Sequence, residues 1–388
     1  MKIIFEKDVL LGAIIPAMSA VSNKHDNPAT EGIRIMTLDE RHCRISAFDT
    51  EKGFEAEIEA DVREPGCYII NAAALLARIR VMPSDVTIEV NDQLHVSISS
   101  GSAHQKNIEF DLFALDGKLF PTLPELRGDR AFRIPQSLLR EMFSETMFAI
   151  AENNQKRELN GAYVVITDKS IKMVALDGFR FALRQKECDI ESLCTPGTAP
   201  DLKIIIPKKS IIEIMRFISD TDEPVLVTMG VRHLIFDIDG VKFFCRQIDG
   251  TYLDYERFIP KNTTLHVDIN AQALKESLER ALLVTEDKEA GKLKSHVKLI
   301  FDGNLLTITT TSNNHRFHET IPMTSEGNYL EIGFNCRLIL DCFRAIPEEN
   351  VKLHLTSALS CMVIEPAEPE DRSFLYFVFP IKMREDLQ

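Results

Sequence analysis

Arginine closes the same six-residue pattern at three places: Leu75-Leu76-Ala77-Arg78-Ile79-Arg80, Ile211-Ile212-Glu213-Ile214-Met215-Arg216 and Ile339-Leu340-Asp341-Cys342-Phe343-Arg344. Two apolar residues, two variable ones and a third apolar residue define one face of a helix, and the arginine follows on from it. The interval between copies is that of a domain. Cations repeated evenly on separate rigid helices suit a phosphate backbone, which presents charge regularly and carries no sequence information. Other candidate helix cations are Lys24, Arg78, Arg140, Lys156, Arg157, Lys208, Lys209, Lys275, Arg280 and Arg337. Singly, each reads as a solvated side chain; recurrence is what sets Arg80, Arg216 and Arg344 apart.

Signals for covalent or metal chemistry are weak by comparison. The chain has no G-x-x-x-x-G-K-[ST], no G-x-G-x-x-G and no G-x-S-x-G, so neither a nucleotide cradle nor a nucleophile elbow is expected. The eight cysteines at 43, 67, 188, 194, 245, 336, 342 and 361 never adopt C-x-x-C spacing, and read as buried thiols in a reducing compartment. His315 and His318 lie three apart in a strand-like segment, so they point to opposite faces and share a metal poorly. The expectation is no catalytic residue, no metal and no cofactor.

The elements that must carry the arginines repeat with them. Each copy follows a strand-like segment (Cys67–Ile70, Lys203–Ile206, Tyr329–Ile332) and precedes another (Val86–Val90, Val225–Met229, Val351–Leu355). The first half of each unit repeats too. Lys2–Phe5, Ala131–Ile134 and Leu265–Ile269 each lead into a helical stretch, bearing Leu10 and Ile14, Leu139 and Met142, and Leu274 and Leu278. Each domain is therefore α+β, with two helices on one side of antiparallel sheets. Turn residues at Arg127-Gly128 and Pro260-Lys261 set expected domains of 1–127, 128–260 and 261–388. Asn23–Gly32, Glu187–Pro200 and Thr285–Ser295 read as exposed loops.

The 388 residues exceed the roughly 250–300 that one core supports, in keeping with three domains. No apolar run reaches the roughly 20 residues of a membrane span, so a soluble, cytoplasmic protein is expected. Lys and Arg number 45 against 59 Asp and Glu, a net charge of −14. Such a balance opposes general nucleic-acid binding, yet allows a basic inner face within an acidic exterior. The terminal run Phe374–Met383 is too apolar for a frayed end, and Pro380 cannot sit in a central strand. It reads either as a last core strand or as the lining of an apolar pocket.

Five segments then carry a resemblance over the whole length. Leu159-Asn160-Gly161 and Ala175-Leu176-Asp177-Gly178-Phe179-Arg180-Phe181-Ala182 are similar to the L-N-G and A-T-D-G-H-R-L-A of the bacterial DNA polymerase III β subunits, the sliding clamps. Asp254-Tyr255-Glu256-Arg257-Phe258-Ile259-Pro260 resembles their P-D-Y-x-R-V-x-P, Ile332-Gly333-Phe334-Asn335 their I-G-F-N, and Phe379-Pro380-Ile381-Lys382-Met383 their M-P-M-R-L. The resemblance implies three domains of the clamp fold in a head-to-tail homodimeric ring, with helices lining a hole for double-stranded DNA.

It further implies a non-catalytic processivity factor in DNA replication and repair. Its partners would be the polymerase III catalytic subunit, the clamp loader and other clamp-motif proteins, with no membrane. Carried over by position, the partner-peptide pocket comprises Leu159, Leu176, Gly178, Phe179, Arg180, Phe181, Leu253, Arg257, Phe258, Asn335, Leu338, Val378, Phe379, Pro380, Ile381 and Met383. The DNA-facing set is Lys24, Arg80, Lys209 and Arg216, with Arg344 added by the repeat. Phe110 and Leu112 of one chain would meet Leu283 and Val284 of the next, and are expected to be exposed in the single chain. Leu176 and Phe179 depart from the family's Thr and His, and Leu253 from its Pro. Arg384–Gln388 extend past the family's usual end. A peptide-binding scaffold without DNA and a three-domain enzyme with an interface site are the competing classes.

Overall fold

The computed structural model describes residues 1–24, 27–102, 105–124, 130–195, 201–230, 232–260, 262–285, 296–312, 315–368 and 373–383. The expected turn at Arg127-Gly128, Lys261, most of the Thr285–Ser295 loop and Arg384–Gln388 lie outside the described residues.

Six α-helices occur among the described residues: α1 (Lys7–Ala17), α2 (Ala72–Val81), α3 (Gln136–Ser144), α4 (Lys208–Ile214), α5 (Ala271–Thr285) and α6 (Cys336–Arg344). Each follows directly on a strand, and Asn71, Asn270 and Asn335 accept first-turn amides before α2, α5 and α6. Such caps satisfy donors that the helix itself leaves unpaired. In α6 the apolar spacing buries Cys336, Ile339, Leu340, Cys342 and Phe343 and leaves Arg337 and Arg344 outside.

By packing, the chain forms two compact units. The first takes residues 1–137, 191–200 and 212–247; the second takes 138–190, 201–211 and 248–388. The first contains a 14-stranded antiparallel sheet, in which strand Val241–Arg246 pairs with Lys52–Glu59. The second contains sheets of nine and four strands, and within the larger one Phe374–Val378 sits between Arg180–Glu187 and Met362–Pro366. Pairing therefore runs across the sequence repeat. A one-residue slip would reverse every side chain in these sheets, so long apolar strands fix the register.

Two expectations change. α4 stops at Ile214, so Arg216 lies in the following turn rather than on the helix. The chain turns there to place Phe217 between Phe54 and Phe243, with ring centroids 5.9 Å from each. The Glu187–Pro200 segment is not wholly loop, because Glu191–Ser192 pairs with Phe132 and Arg133, and Arg133 Nη1 lies 2.8 Å from Glu191.

In the second unit Arg184 is buried among carboxylates: Glu141 at 2.5 Å, Glu145 at 2.8 Å and Glu348 at 3.7 Å. Burial, opposed by Arg184 and reinforced by Glu141 and Glu348, pushes the Glu145 carboxyl up to about 7. A raised carboxyl pKa means that the folded chain holds this proton longer than the unfolded chain. Its contribution is complete below the unfolded pKa and is lost as pH rises through about 7. Glu145→Gln keeps the protonated shape at all pH values. Relative to wild type it should gain on the order of 2–3 kcal/mol between pH 5 and 8.5. Parallel thermal melts check this, and a difference independent of pH would refute the assignment.

Candidate functional site

Within the second unit the pocket candidates converge on the end of the central strand Phe374–Val378. Strand Ser170–Leu176 turns into Arg180–Glu187 through Asp177-Gly178-Phe179, with Leu176 paired to Phe181. Asp177 Oδ1 accepts the amides of Phe179 and Arg180 at 2.8 and 2.9 Å. Gly178 takes φ +94°, a conformation that a side chain would strain. This turn lifts Phe179 into solvent, 63% exposed.

Past Val378 the chain leaves the sheet and is held at two points. The Phe379 amide donates to the Phe179 carbonyl at 2.8 Å, and the Ile381 amide to the Gly333 carbonyl at 2.8 Å. Gly333 is needed for closeness: a Cβ there would lie 2.6 Å from Met383 Cγ. Pro380 thus falls beyond the ladder, where its missing donor costs nothing.

Beneath this segment is an apolar floor. Leu159, Leu176 and Phe181 are buried in one cluster with Tyr252, Tyr255, Cys361, Val363 and Phe377, and Leu253 packs against it. Phe181 stacks on Phe377 with centroids 4.4 Å apart, while Phe379 meets Phe377 edge-on. Val378 is fully buried; Leu338, Pro380, Ile381 and Met383 are half-buried. Phe258 and Phe379 are exposed, as is Arg257, whose Nε lies 2.7 Å from Asp254. The result is a buried aromatic base with exposed aromatic and cationic groups beside it.

Two expected polar posts have structural work of their own. Arg180 is only 11% exposed and held by Asp177 at 3.0 Å and Asp341 at 2.6 Å, with Phe148 5.5 Å beneath its guanidinium. Asn335 caps α6 through the Arg337 and Leu338 amides. Sequence reading missed Asp341, Phe148, Tyr252, Tyr255 and Cys361, because their neighbours are distant in the chain. A cavity of about 410 Å³ lies elsewhere in the second unit, lined by residues that include His266, Asp268, His354 and Glu365. Its walls are polar, which suits apolar anchors less well than the aromatic floor.

The cation candidates are all exposed: Lys24, Arg80, Lys209, Arg216 and Arg344. α1 packs against α2 and α5 against α6, so their cations sit on supported surfaces. Lys7 of α1 donates to the Arg80 and Met82 carbonyls at the end of α2, a favourable place for a cation.

The expected exposure of the four seam residues divides. Leu283 is 78% exposed and Val284 half-buried. Phe110 and Leu112 instead pack on the first core, opposite Ile98 and Val96. Alternation along Gln105–Asp116 turns Phe113 outward, 78% exposed.

Among the described residues no group of three or more His, Cys, Asp or Glu is placed to hold a metal, and no helix is long and apolar enough to cross a membrane.

This α+β arrangement recurs in solved structures. A DNA polymerase sliding clamp from Bacillus subtilis matches with a TM-score of 0.89 at 24% identity, covering 99% of this chain and 100% of that one. A DNA polymerase III subunit beta from Pseudomonas aeruginosa matches with a TM-score of 0.85 at 24% identity and the same coverage. These likenesses define the class as the clamp fold of repeated α+β domains. The family models for the DNA polymerase III beta subunit match in order: N-terminal domain over residues 1–124, central domain over 133–254 and C-terminal domain over 256–382. The chain belongs to the DNA polymerase III beta subunit family. Beta sliding clamps from Haemophilus influenzae and Escherichia coli K12 are each 26% identical to it, over 99% of this chain and 100% of theirs.

Proposed function

We propose that the protein is a DNA sliding clamp: a ring-shaped homodimer that encircles duplex DNA and tethers the replicative polymerase as a non-catalytic processivity factor in the cytoplasm. The observation that carries this reading is the exposed arginine at the end of the second helical segment in each of three repeats, Arg80, Arg216 and Arg344. Three separated cations give duplex contact without base readout, as sliding requires. The domains proposed are 1–127, 128–260 and 261–388.

Ring closure would use two open edges. Strand Gln105–Asp116 pairs with His95–Ser102 as far as Phe113 and, among the described residues, with Cys67–Asn71 only at Ala114–Asp116. Among the described residues Arg316–Pro322 pairs only with Leu305–Thr311. Unpaired edges invite another strand. Phe110, Leu112, Leu283 and Val284 are the proposed seam, with exposed Phe113 added beside it. A head-to-tail contact that closes at two copies makes a ring. The peptide pocket proposed at Phe179, Phe379 and Met383 would receive partners such as the polymerase III catalytic subunit, the clamp loader and other clamp-motif proteins.

Light scattering at micromolar concentration should give twice the chain mass. Leu283→Glu should give the single chain, because a charge would be buried in the seam. After loading, the protein should stay on a circular duplex and leave when that circle is cut. A wild-type protein that is monomeric and indifferent to cutting would defeat the proposal.

A further inference from the structure

The three repeat-related arginines are not electrostatically equivalent. The Arg80 side chain makes no ion pair among the described residues. Arg216 Nη1 lies 2.6 Å from Glu213 Oε2, with the guanidinium 66% exposed and the carboxylate 16% exposed. Arg344 places Nη2 at 3.1 Å and Nε at 3.2 Å from Glu279 Oε1, across from α6 to α5. The two carboxylates reach their arginines by different routes, one from within α4 and one from a neighbouring helix. Arg280 on α5 is likewise held by Glu319, at 2.7 and 3.0 Å.

We propose that Glu213 and Glu279 attenuate the DNA contact by holding Arg216 and Arg344 partly neutralised, so that Arg80 makes the dominant phosphate contact of each chain. The inference rests on the reading that these arginines face duplex DNA. An arginine already beside a carboxylate releases fewer counterions from DNA, and its carboxylate repels the same phosphate. Exposed ion pairs are weak and readily opened, so the pairing weakens the contact without forbidding it. A ring that must hold duplex yet slide along it benefits from contacts of this strength. Glu213 and Glu279 are therefore affinity-setting residues that touch the contacting side chain, not the DNA.

The test is fluorescence anisotropy of the full-length protein on a blunt 30-base-pair duplex, titrated from about 50 to 200 mM salt, the range over which phosphate contacts are graded. Arg80→Gln should weaken wild-type binding several-fold more than Arg344→Gln does. Glu279→Gln should tighten binding several-fold and steepen the salt slope by up to about 0.9 for the arginine it releases. In that background Arg344→Gln should become as costly as Arg80→Gln, and Glu213→Gln should act likewise on Arg216. Glu326→Gln, an equal charge change on an exposed strand away from these pairs, controls for net charge. Equal losses for Arg80→Gln and Arg344→Gln, or no difference between Glu279→Gln and Glu326→Gln, would overturn the inference while leaving DNA binding intact. Absence of any salt-dependent binding by wild type would overturn the reading that these arginines contact phosphates, and the inference with it, while retention on a closed circle would still test the ring.

Discussion

Replacing Arg80, Arg216 and Arg344 together by glutamate is expected to shorten retention on closed circular DNA by about tenfold or more at moderate salt, because phosphate contacts dominate such binding. Each substitution removes an exposed cation and places an anion at the same point, at the end of α2 or α6 or, for Arg216, in the turn that follows α4. In a two-chain ring the change is made twice over. None of the three side chains enters a core, so the fold and the chain mass in solution should not change. Peptide affinity should hold as well, since none of the three belongs to the pocket around Phe379. The measurement is the fraction of loaded protein that stays on a nicked circle through gel filtration, compared with linear duplex at equal salt. A triple variant retained as well as wild type would show that these arginines do not line the DNA path.

The repeated strand–helix–strand order was legible because apolar spacing is local. Ile339, Leu340 and Phe343 are buried where their spacing puts them. What was hidden depends on distant residues. α4 ends early because Phe217 is drawn between Phe54 and Phe243, residues that its own segment does not reveal. Arg180 was legible as a member of the turn, but its partner Asp341 lies 161 positions along the chain. Phe110 and Leu112 came by position from the resemblance, whereas the outward turn of Phe113 follows from strand parity, which decides which side chain meets water. Sheet pairing across the repeat, as between Val241–Arg246 and Lys52–Glu59, has no local signature either. The turn at Asp177–Phe179 and the run past Val378 were therefore foreseeable from their motifs, whereas the aromatic cluster and the ion pairs beside them were not.

The second large effect is expected at the last described residues of the chain. Ending the protein at Lys382 removes Met383, which is half-buried against Gly333, together with the residues beyond it. Affinity for a short peptide taken from a clamp-motif partner should fall by about tenfold or more, the scale of losing one interface hot spot. The core should survive, because Phe374–Val378 keeps both neighbouring strands and Phe377 keeps its stack on Phe181. Gly333→Ala offers an independent route to the same loss. Its new Cβ would fall 2.6 Å from Met383 Cγ and 3.5 Å from Ile381 Cγ1. Met383 would have to move, and with it the wall beside Phe379. Since Met383 is a flexible end, the melting temperature should change little while peptide affinity drops. Calorimetry on both variants separates the two contributions, a wall that binds peptide and a segment that merely closes the sheet. If both variants bind the peptide as wild type does, the anchors lie elsewhere on the second unit.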